Sequence, residues 1–116
     1  MRRDHPIPDD VPRPTLIMTA RAQDPAIGEK KRKEGIAVIT RPDQRWARRD
    51  IKTVQLLPNL LAKTEARKAG AYEAWLVDHE GFVTEGASTN AWIVDSANNV
   101  VTRQLSNDIL PGVTRR

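Results

Sequence analysis

Short apolar runs separated by polar turns dominate the pattern of hydrophobic positions along this 116-residue chain. Runs rich in β-branched or aromatic residues and bounded by turn residues are typical of strands. We therefore predict strands over residues 15–20, 36–40, 72–77, 82–84, 90–94 and 100–102. The later strands are joined by the turn-like sequences 78–81 and 95–99, so we expect them to form an antiparallel meander.

Two other stretches have the character of helices. Residues 27–34 are polar and helix-prone, and Gly35 suits the end of a helix. A second helix is predicted from Pro58, which suits a first turn, to the region before Gly70. Its residues at helical spacing are Leu57, Leu60, Leu61 and Thr64. The pattern predicts an α+β fold with two helices and mainly antiparallel strands, preceded by a proline-rich extended segment over residues 1–14.

Composition excludes several kinds of site. The chain has no cysteine and only two histidines, so we expect neither disulfides nor a bound metal. The net charge of +4 and the basic run at residues 30–33 leave open a non-catalytic nucleic-acid-binding module. Glutamates flank that run, however, which favours a solvated helix face, so we expect no nucleic-acid partner. No apolar run approaches about 20 residues, and no signal peptide is evident, which predicts a cytoplasmic protein without a membrane partner.

Lys52 is the first candidate for chemistry. It lies between β-branched neighbours and before an apolar helix, a setting in which we expect a lysine to be partly buried. Burial and the nearby cations Arg48 and Arg49 favour the neutral amine that Schiff-base formation requires. The alternative is a surface lysine on an edge strand.

Residues 83–90 form the second candidate, because a carboxylate, Glu85, is followed by glycine and then by Ser88, Thr89 and Asn90. A carboxylate against a pyridine nitrogen keeps that nitrogen protonated. The alternative is a polar turn whose side chains satisfy local backbone groups.

Two further segments could bind anions. Residues 110–115 place a glycine and a hydroxyl residue before an expected helix, where free backbone N–H groups can bind a phosphate. Near the N-terminus, Arg3 and His5 are two residues apart, so an extended chain directs both side chains to one side. An arginine there can bind a carboxylate through two hydrogen bonds. The alternatives are an ordinary helix entry and a disordered terminus.

Taken together, these motifs resemble the class IV aminotransferases, of fold type IV, and the resemblance runs through almost the whole chain. The most specific stretches are residues 49–53, 61–63, 69–74, 83–86 and 107–115. The resemblance implies that the chain is part of the fold type IV aminotransferase fold. Residues 1–14 would be the end of the small N-terminal domain and the interdomain linker, and residues 15–116 the first part of the large cofactor-binding domain.

The resemblance also implies roles for the candidate residues. Pyridoxal 5'-phosphate would be the cofactor, held by Lys52 as a Schiff base, and the same amine would move the proton between the substrate and the cofactor. Glu85 would pair with the pyridine nitrogen. Ser88, Thr89 and Asn90 would line the cofactor site. The phosphate would be bound by Val113 and Thr114, and the substrate carboxylate by Arg3 and His5.

Within the class, the residues favour the D-amino-acid type. Branched-chain members typically have a tyrosine five positions after the lysine, where this chain has Leu57. The Arg3–His5 pair and residues 85–90 are closer to the D-type pattern, although Ala87 lacks a hydroxyl. The expected reaction is transamination between a D-amino acid such as D-alanine and a 2-oxo acid such as 2-oxoglutarate. A branched-chain aminotransferase and an aminodeoxychorismate lyase are the alternatives.

Members of this class are homodimers and more than twice as long as this chain. We therefore expect a longer parent protein that dimerises, and we expect these residues in isolation to bind the cofactor weakly and to catalyse little.

Overall fold

The computed structural model describes residues 5–7, 9–10 and 13–115. Its helices are α1 (Pro25–Glu34) and α2 (Leu57–Lys68), and a single 3-10 turn spans Val113–Arg115. The strands are β1 (Val38–Pro42), β2 (Glu73–Val77), β3 (Val83–Gly86), β4 (Trp92–Val94) and β5 (Val100–Thr102). Both predicted helices and the α+β class with mainly antiparallel strands are thus confirmed. Within the described part of the chain, no helix has the length and apolar character needed to cross a membrane.

Local signals account for the bounds of the helices. Helix α1 begins two residues earlier than predicted, because the Asp24 side chain caps it by accepting a hydrogen bond from the Ala26 amide at 2.9 Å. It ends at Gly35, whose φ of 76° lies in the left-handed region that glycine adopts without strain. Helix α2 begins with Pro58 in its first turn, and Gly70, with a φ of 73°, follows its end.

The strands form two separate sheets. In the first, the strand order is β1-β2-β3, with β1 parallel to β2 and β2 antiparallel to β3; the second is the antiparallel pair β4-β5. The parallel pairing arises because α2 carries the chain back across the sheet between β1 and β2. The predicted continuous meander is therefore wrong in the described residues. The two hairpins exist, but β3 and β4 do not pair, because the chain turns after Gly86 to form a hydrogen-bonded loop.

The strand predicted at residues 15–20 is also wrong in this structure. These residues form no regular element, and Leu16, Ile17 and Met18 are each more than 80% exposed. A β-branched run becomes a strand only when a neighbouring strand takes up its backbone hydrogen bonds, and the described residues supply none here.

Small residues build the core between α2 and the first sheet. Ala62 and Ala66 of α2 pack against Ala74 and Leu76 of β2 and against Ala87. Because alanine side chains are short, the helix lies close to the sheet. The loop that follows β3 is thereby placed beside the first turn of α2.

Candidate functional site

A cavity of about 1140 Å³ lies between the segment that precedes α2, the loop that follows β3, and residues 110–112. Five of the sequence-predicted site residues line it: Lys52, Glu85, Ser88, Thr89 and Asn90. The structure thus brings the candidate amine and the candidate carboxylate to one cavity, although they are 33 positions apart in sequence. The two groups do not lie on opposite sides of the sheet.

Glu85 lies near the end of β3 and is buried, with only 4% of its surface exposed. Arg45 donates a hydrogen bond to Oε1 through Nη1, and Asn90 donates one to Oε2 from Nδ2 at 2.8 Å. The backbone amide of Leu110 is shared between the two oxygens, at 3.3 and 3.2 Å. Three donors therefore make four contacts with this carboxylate, two to each oxygen. The shared Leu110 amide makes the two longest of them.

Arg45 belongs to a buried charge network that sequence reasoning missed. Its guanidinium also binds Asp43, with Nη2 at 2.7 Å from Oδ2, and the Asp43 side chain is fully buried. Burial opposes the charge on Arg45, but hydrogen bonds to Asp43 and Glu85 outweigh it, and the pKa of the guanidinium is raised. Burial likewise opposes ionisation of Asp43, yet hydrogen bonds from Arg45 and Thr84 lower the pKa of its carboxyl. The pairing therefore favours the charged forms of both Arg45 and Asp43.

Glu73, at the start of β2, was also missed. It is 1% exposed and lies behind the loop that carries Ser88 and Thr89. Its Oε2 accepts from the Ser88 hydroxyl at 2.6 Å and from the Thr89 hydroxyl at 3.3 Å, while Lys63 Nζ lies 3.1 Å from Oε1. Burial raises the pKa of Glu73, but the hydrogen bonds, chiefly those from Ser88 and the Ala74 amide, reverse the effect and lower it. Glu73 lies in the family-like stretch 69–74, which was a signal that could have singled it out, whereas Arg45 lies outside every such stretch.

Lys52 differs from the expectation in one respect, because it is exposed rather than partly buried. The segment that carries it consists of bends instead of a strand, and Val54 beside it is 95% exposed. The neighbouring cations are paired, Arg48 with Asp50 and Arg49 with Asp108. In the part of the chain that the structure describes, Lys52 itself makes neither an ion pair nor a hydrogen bond.

Residues 110–114 reach the cavity only in part. Leu110 and Gly112 line it, whereas Val113 and Thr114 follow immediately and do not. Gly112 packs closely against Asn90, and a Cβ at this position would overlap the Asn90 Oδ1 atom. The predicted helix entry is a single 3-10 turn in the described chain.

Of the predicted carboxylate-binding pair, the structure describes only His5. Arg3 lies outside the described residues, and His5 is exposed and does not line the cavity.

Comparisons with known proteins give the family. The sequence profile of the family described as amino-transferase class IV matches residues 2–116. The D-alanine aminotransferase of Listeria monocytogenes (strain 10403S) is 41% identical over 115 residues, which cover 98% of this chain and 38% of that protein. The chain spans between 30% and 39% of the length of the curated relatives that it matches.

Solved structures agree on the fold. The fold IV-transaminase CpuTA1 of Curtobacterium pusillum superposes with a TM-score of 0.62 at 25% identity, over 69% of this chain and 30% of that one. A T.th. branched-chain amino acid aminotransferase, complexed with N-(5'-phosphopyridoxyl)-L-glutamate, superposes with a TM-score of 0.59 at 32% identity, over 71% and 28%. The chain, with Lys52 and Glu85 in one cavity, therefore belongs to the class IV aminotransferase family.

Proposed function

We propose that this chain supplies the cofactor-holding part of a pyridoxal-phosphate-dependent aminotransferase that acts on D-amino acids such as D-alanine, with a 2-oxo acid such as 2-oxoglutarate as acceptor. The observation that carries the proposal is the shared cavity, which is lined by both an unpaired amine, Lys52, and a buried carboxylate, Glu85. The family and the D-alanine aminotransferase relatives support the reaction class.

The cavity fits the cofactor in size, charge and acceptor chemistry. Small-molecule sites typically measure about 300–1,000 Å³, and this open cavity measures about 1140 Å³. Of the four cationic side chains on its wall, Arg45, Arg49 and Lys63 are ion-paired with carboxylates. The positive charge of Lys52 remains uncompensated among the described residues, which suits an anionic cofactor. The Glu85 carboxylate on this wall suits a protonated ring nitrogen, which can take the place of the long, shared contact of the Leu110 amide. The phosphopyridoxyl group bound by the branched-chain aminotransferase relative supports the same cofactor class.

When bound, pyridoxal phosphate supplies an electron sink for the electrons released at the substrate Cα. Lys52 holds the cofactor through its side-chain amine and moves the proton at that carbon, which requires an amine not committed to an ion pair. Glu85, which is held in place by Arg45, pairs with the ring nitrogen and keeps it protonated. Asn90 orients the Glu85 carboxylate.

The remaining assignments concern the two ends of the ligand. Val113 and Thr114 bind the phosphate through their backbone N–H groups, and this is supported by their position next to Gly112 on the cavity wall. Arg3 and His5 bind the substrate carboxylate, which is supported by their spacing and by the planar donor pair of arginine. Leu57 lines the cavity and lacks a phenol, in agreement with the D-type motif.

The domain assignment belongs to the same proposal. Residues 1–14 are the end of a small N-terminal domain and its linker, and residues 15–116 are the first part of the large domain. The working protein is a longer, cytoplasmic homodimer, and these 116 residues by themselves bind the cofactor weakly. The share of the relatives' length that the chain covers supports the greater length of the working protein.

Borohydride reduction of the complete protein with pyridoxal phosphate tests the central assignment. The cofactor is expected on the peptide that contains Lys52, and Lys52→Ala should abolish the adduct. Lys63→Ala is the matched control, because Lys63 lines the same cavity but is ion-paired with Glu73. An adduct that persists in Lys52→Ala contradicts the proposal, and faster turnover of L-leucine than of D-alanine contradicts the substrate class.

A further inference from the structure

Glu73 does not line the cavity, yet it is one of the most completely buried side chains in the described structure. Its two oxygens are held by the Ser88 and Thr89 hydroxyls, the Ala74 amide and the Lys63 amine. A buried carboxylate with an ion-pair partner and three hydrogen-bond donors is costly to assemble and sensitive to any lost partner. Because Glu73 lies behind the cavity wall, its hydrogen bonds orient the Ser88 and Thr89 hydroxyls on that wall.

The hydrogen bonds to Glu73 fix where two protons lie. A carboxylate has no proton to donate, so the 2.6 Å contact between Ser88 Oγ and Glu73 Oε2 requires the serine to donate. The Thr89 hydroxyl donates to the same oxygen at 3.3 Å. Each hydroxyl has a single proton, which leaves both oxygens with acceptor capacity alone.

The loop that presents these hydroxyls is anchored at several points. The Gly86 amide donates to the Thr89 carbonyl at 2.7 Å, and the Ala87 amide donates to the Ala74 carbonyl at 2.8 Å. Asn59 of α2 donates to the Ala87 carbonyl at 2.8 Å. Glu73 adds the side-chain anchor, so that the whole segment is held against α2 and β2.

We propose that Glu73 is a positioning residue that turns Ser88 and Thr89 into hydrogen-bond acceptors on the cavity wall, so that they bind a donor group such as the amino group of the substrate or a water molecule, and not a phosphate or a carboxylate. The identity of that donor rests on the proposed function. The orientation of the two hydroxyls rests only on the contacts of Glu73.

Lys63 completes the arrangement. Its Nζ lies 3.1 Å from Glu73 Oε1 and 3.4 Å from Ser88 Oγ, and 4.5 Å from the centre of the Tyr72 ring. The amine thus compensates the buried negative charge, and the aromatic face holds the amine in place. The lysine is thereby committed to Glu73.

Glu73→Gln tests the proposal, because glutamine keeps the shape while its amide can donate and so releases a hydroxyl proton toward the cavity. In the complete protein we expect the KM for D-alanine to rise about tenfold, the loss of roughly one charge-assisted hydrogen bond. We expect kcat and the dissociation constant of pyridoxal phosphate to change less than twofold. Ser88→Ala should raise the KM for D-alanine to a similar extent, and Glu80→Gln, in an exposed turn, serves as the matched control.

Amide exchange of Gly86 and Ala87 in the cofactor-free protein supplies a readout that does not depend on activity. Both amides should exchange several-fold faster in Glu73→Gln than in the parent protein and the control, because the side-chain anchor of the loop is weakened. Unchanged exchange together with an unchanged KM overturns the proposal. Weaker pyridoxal phosphate binding by Ser88→Ala also overturns it, because that result makes Ser88 a phosphate donor.

The two proposals fail in different ways. A parent protein without a Lys52 adduct and without transamination removes the proposed function, and the exchange rates then still decide the role of Glu73. An active parent protein whose Glu73→Gln variant matches it in exchange and in KM leaves the proposed function intact and removes this inference alone.

Discussion

Arg45→Met is the substitution for which the structure gives the clearest energetic expectation. Methionine retains much of the volume of the side chain but removes a guanidinium that binds two buried carboxylates. The exposed fractions of the three side chains are 9% for Arg45, 0% for Asp43 and 6% for Glu85. The substitution therefore leaves two negative charges in a region from which water is nearly excluded.

The magnitude follows from what remains bound to each carboxylate. Removing one partner of a buried ion pair typically costs about 3–5 kcal/mol of unfolding free energy. Asp43 retains the Thr84 hydroxyl at 2.7 Å and has Arg49 Nε at 3.4 Å. Glu85 retains Asn90 and the Leu110 amide. Because these donors partly compensate the lost cation, we expect the lower end of that range, about 3 kcal/mol.

The free energy of unfolding is measured in urea titrations at pH 7, with tryptophan fluorescence as the probe. The parent protein and its variants are compared as chains of equal length. Arg48→Met is the matched control, because Arg48 forms its ion pair with Asp50 in exposed surroundings. That control should leave the urea midpoint unchanged within error. Adding Asp43→Asn to Arg45→Met should restore part of the loss, because one of the two uncompensated charges is then removed.

The pH dependence provides the decisive check on this reasoning. Carboxylates that have lost their cation in a buried site bind protons more readily, so the deficit of Arg45→Met should shrink as the pH is lowered from 7 toward 4. Equal losses in Arg45→Met and Arg48→Met, or a deficit that grows on acidification, would refute the view that buried charge compensation stabilises this site.

Three further predictions concern the same region. Gly112→Ala should cost about 1–3 kcal/mol of stability through overpacking against Asn90. Gly28→Ala in α1 is the control, because the added Cβ meets only the flexible end of the Arg32 side chain and should not destabilise; thermal midpoints compare the two variants. Folding lowers the pKa of Glu73 from its unfolded value of 4.5. The stabilisation that the ionised Glu73 provides should therefore be complete above pH 4.5 and be lost as the pH falls through the lower pKa of the folded state. Glu73→Gln should remove that part of the acid transition. Ala87→Ser, which places a hydroxyl in the core, should lower stability by about 1–3 kcal/mol unless a new hydrogen bond forms; chemical denaturation measures it.

Local features of the fold were predictable from the sequence, and the pairing of its strands was not. Pro58 and the leucine spacing identified α2, and Gly35 identified the end of α1, because caps and periodicity act within a few residues. Whether residues 36–40 pair in parallel depends instead on the path of α2 across the sheet, and residues 15–20 depend on a neighbouring strand. Neither is encoded in the segment itself.

In the candidate site, too, some residues were predictable from the sequence and others were not. Lys52 and Glu85 were found because their neighbours match a family pattern, and the structure brings both to one cavity. Arg45 and Glu73 were missed because a buried charged residue and an exposed one look alike in a single sequence. Their burial depends on contacts between elements far apart in the chain, with 40 residues separating Arg45 from Glu85 and 15 separating Glu73 from Ser88.

The charge network also explains how one amine among several cations is chemically distinct. Of the four cations on the cavity wall, Arg45 is paired with Asp43 and Glu85, Arg49 with Asp108, and Lys63 with Glu73. Each of these three side chains is thereby held against a carboxylate. Lys52 has no such partner among the described residues. These carboxylates thus hold the wall in place and engage the other three cations, which leaves Lys52 as the cation on that wall without an ion pair among the described residues, as the proposed Schiff-base role requires.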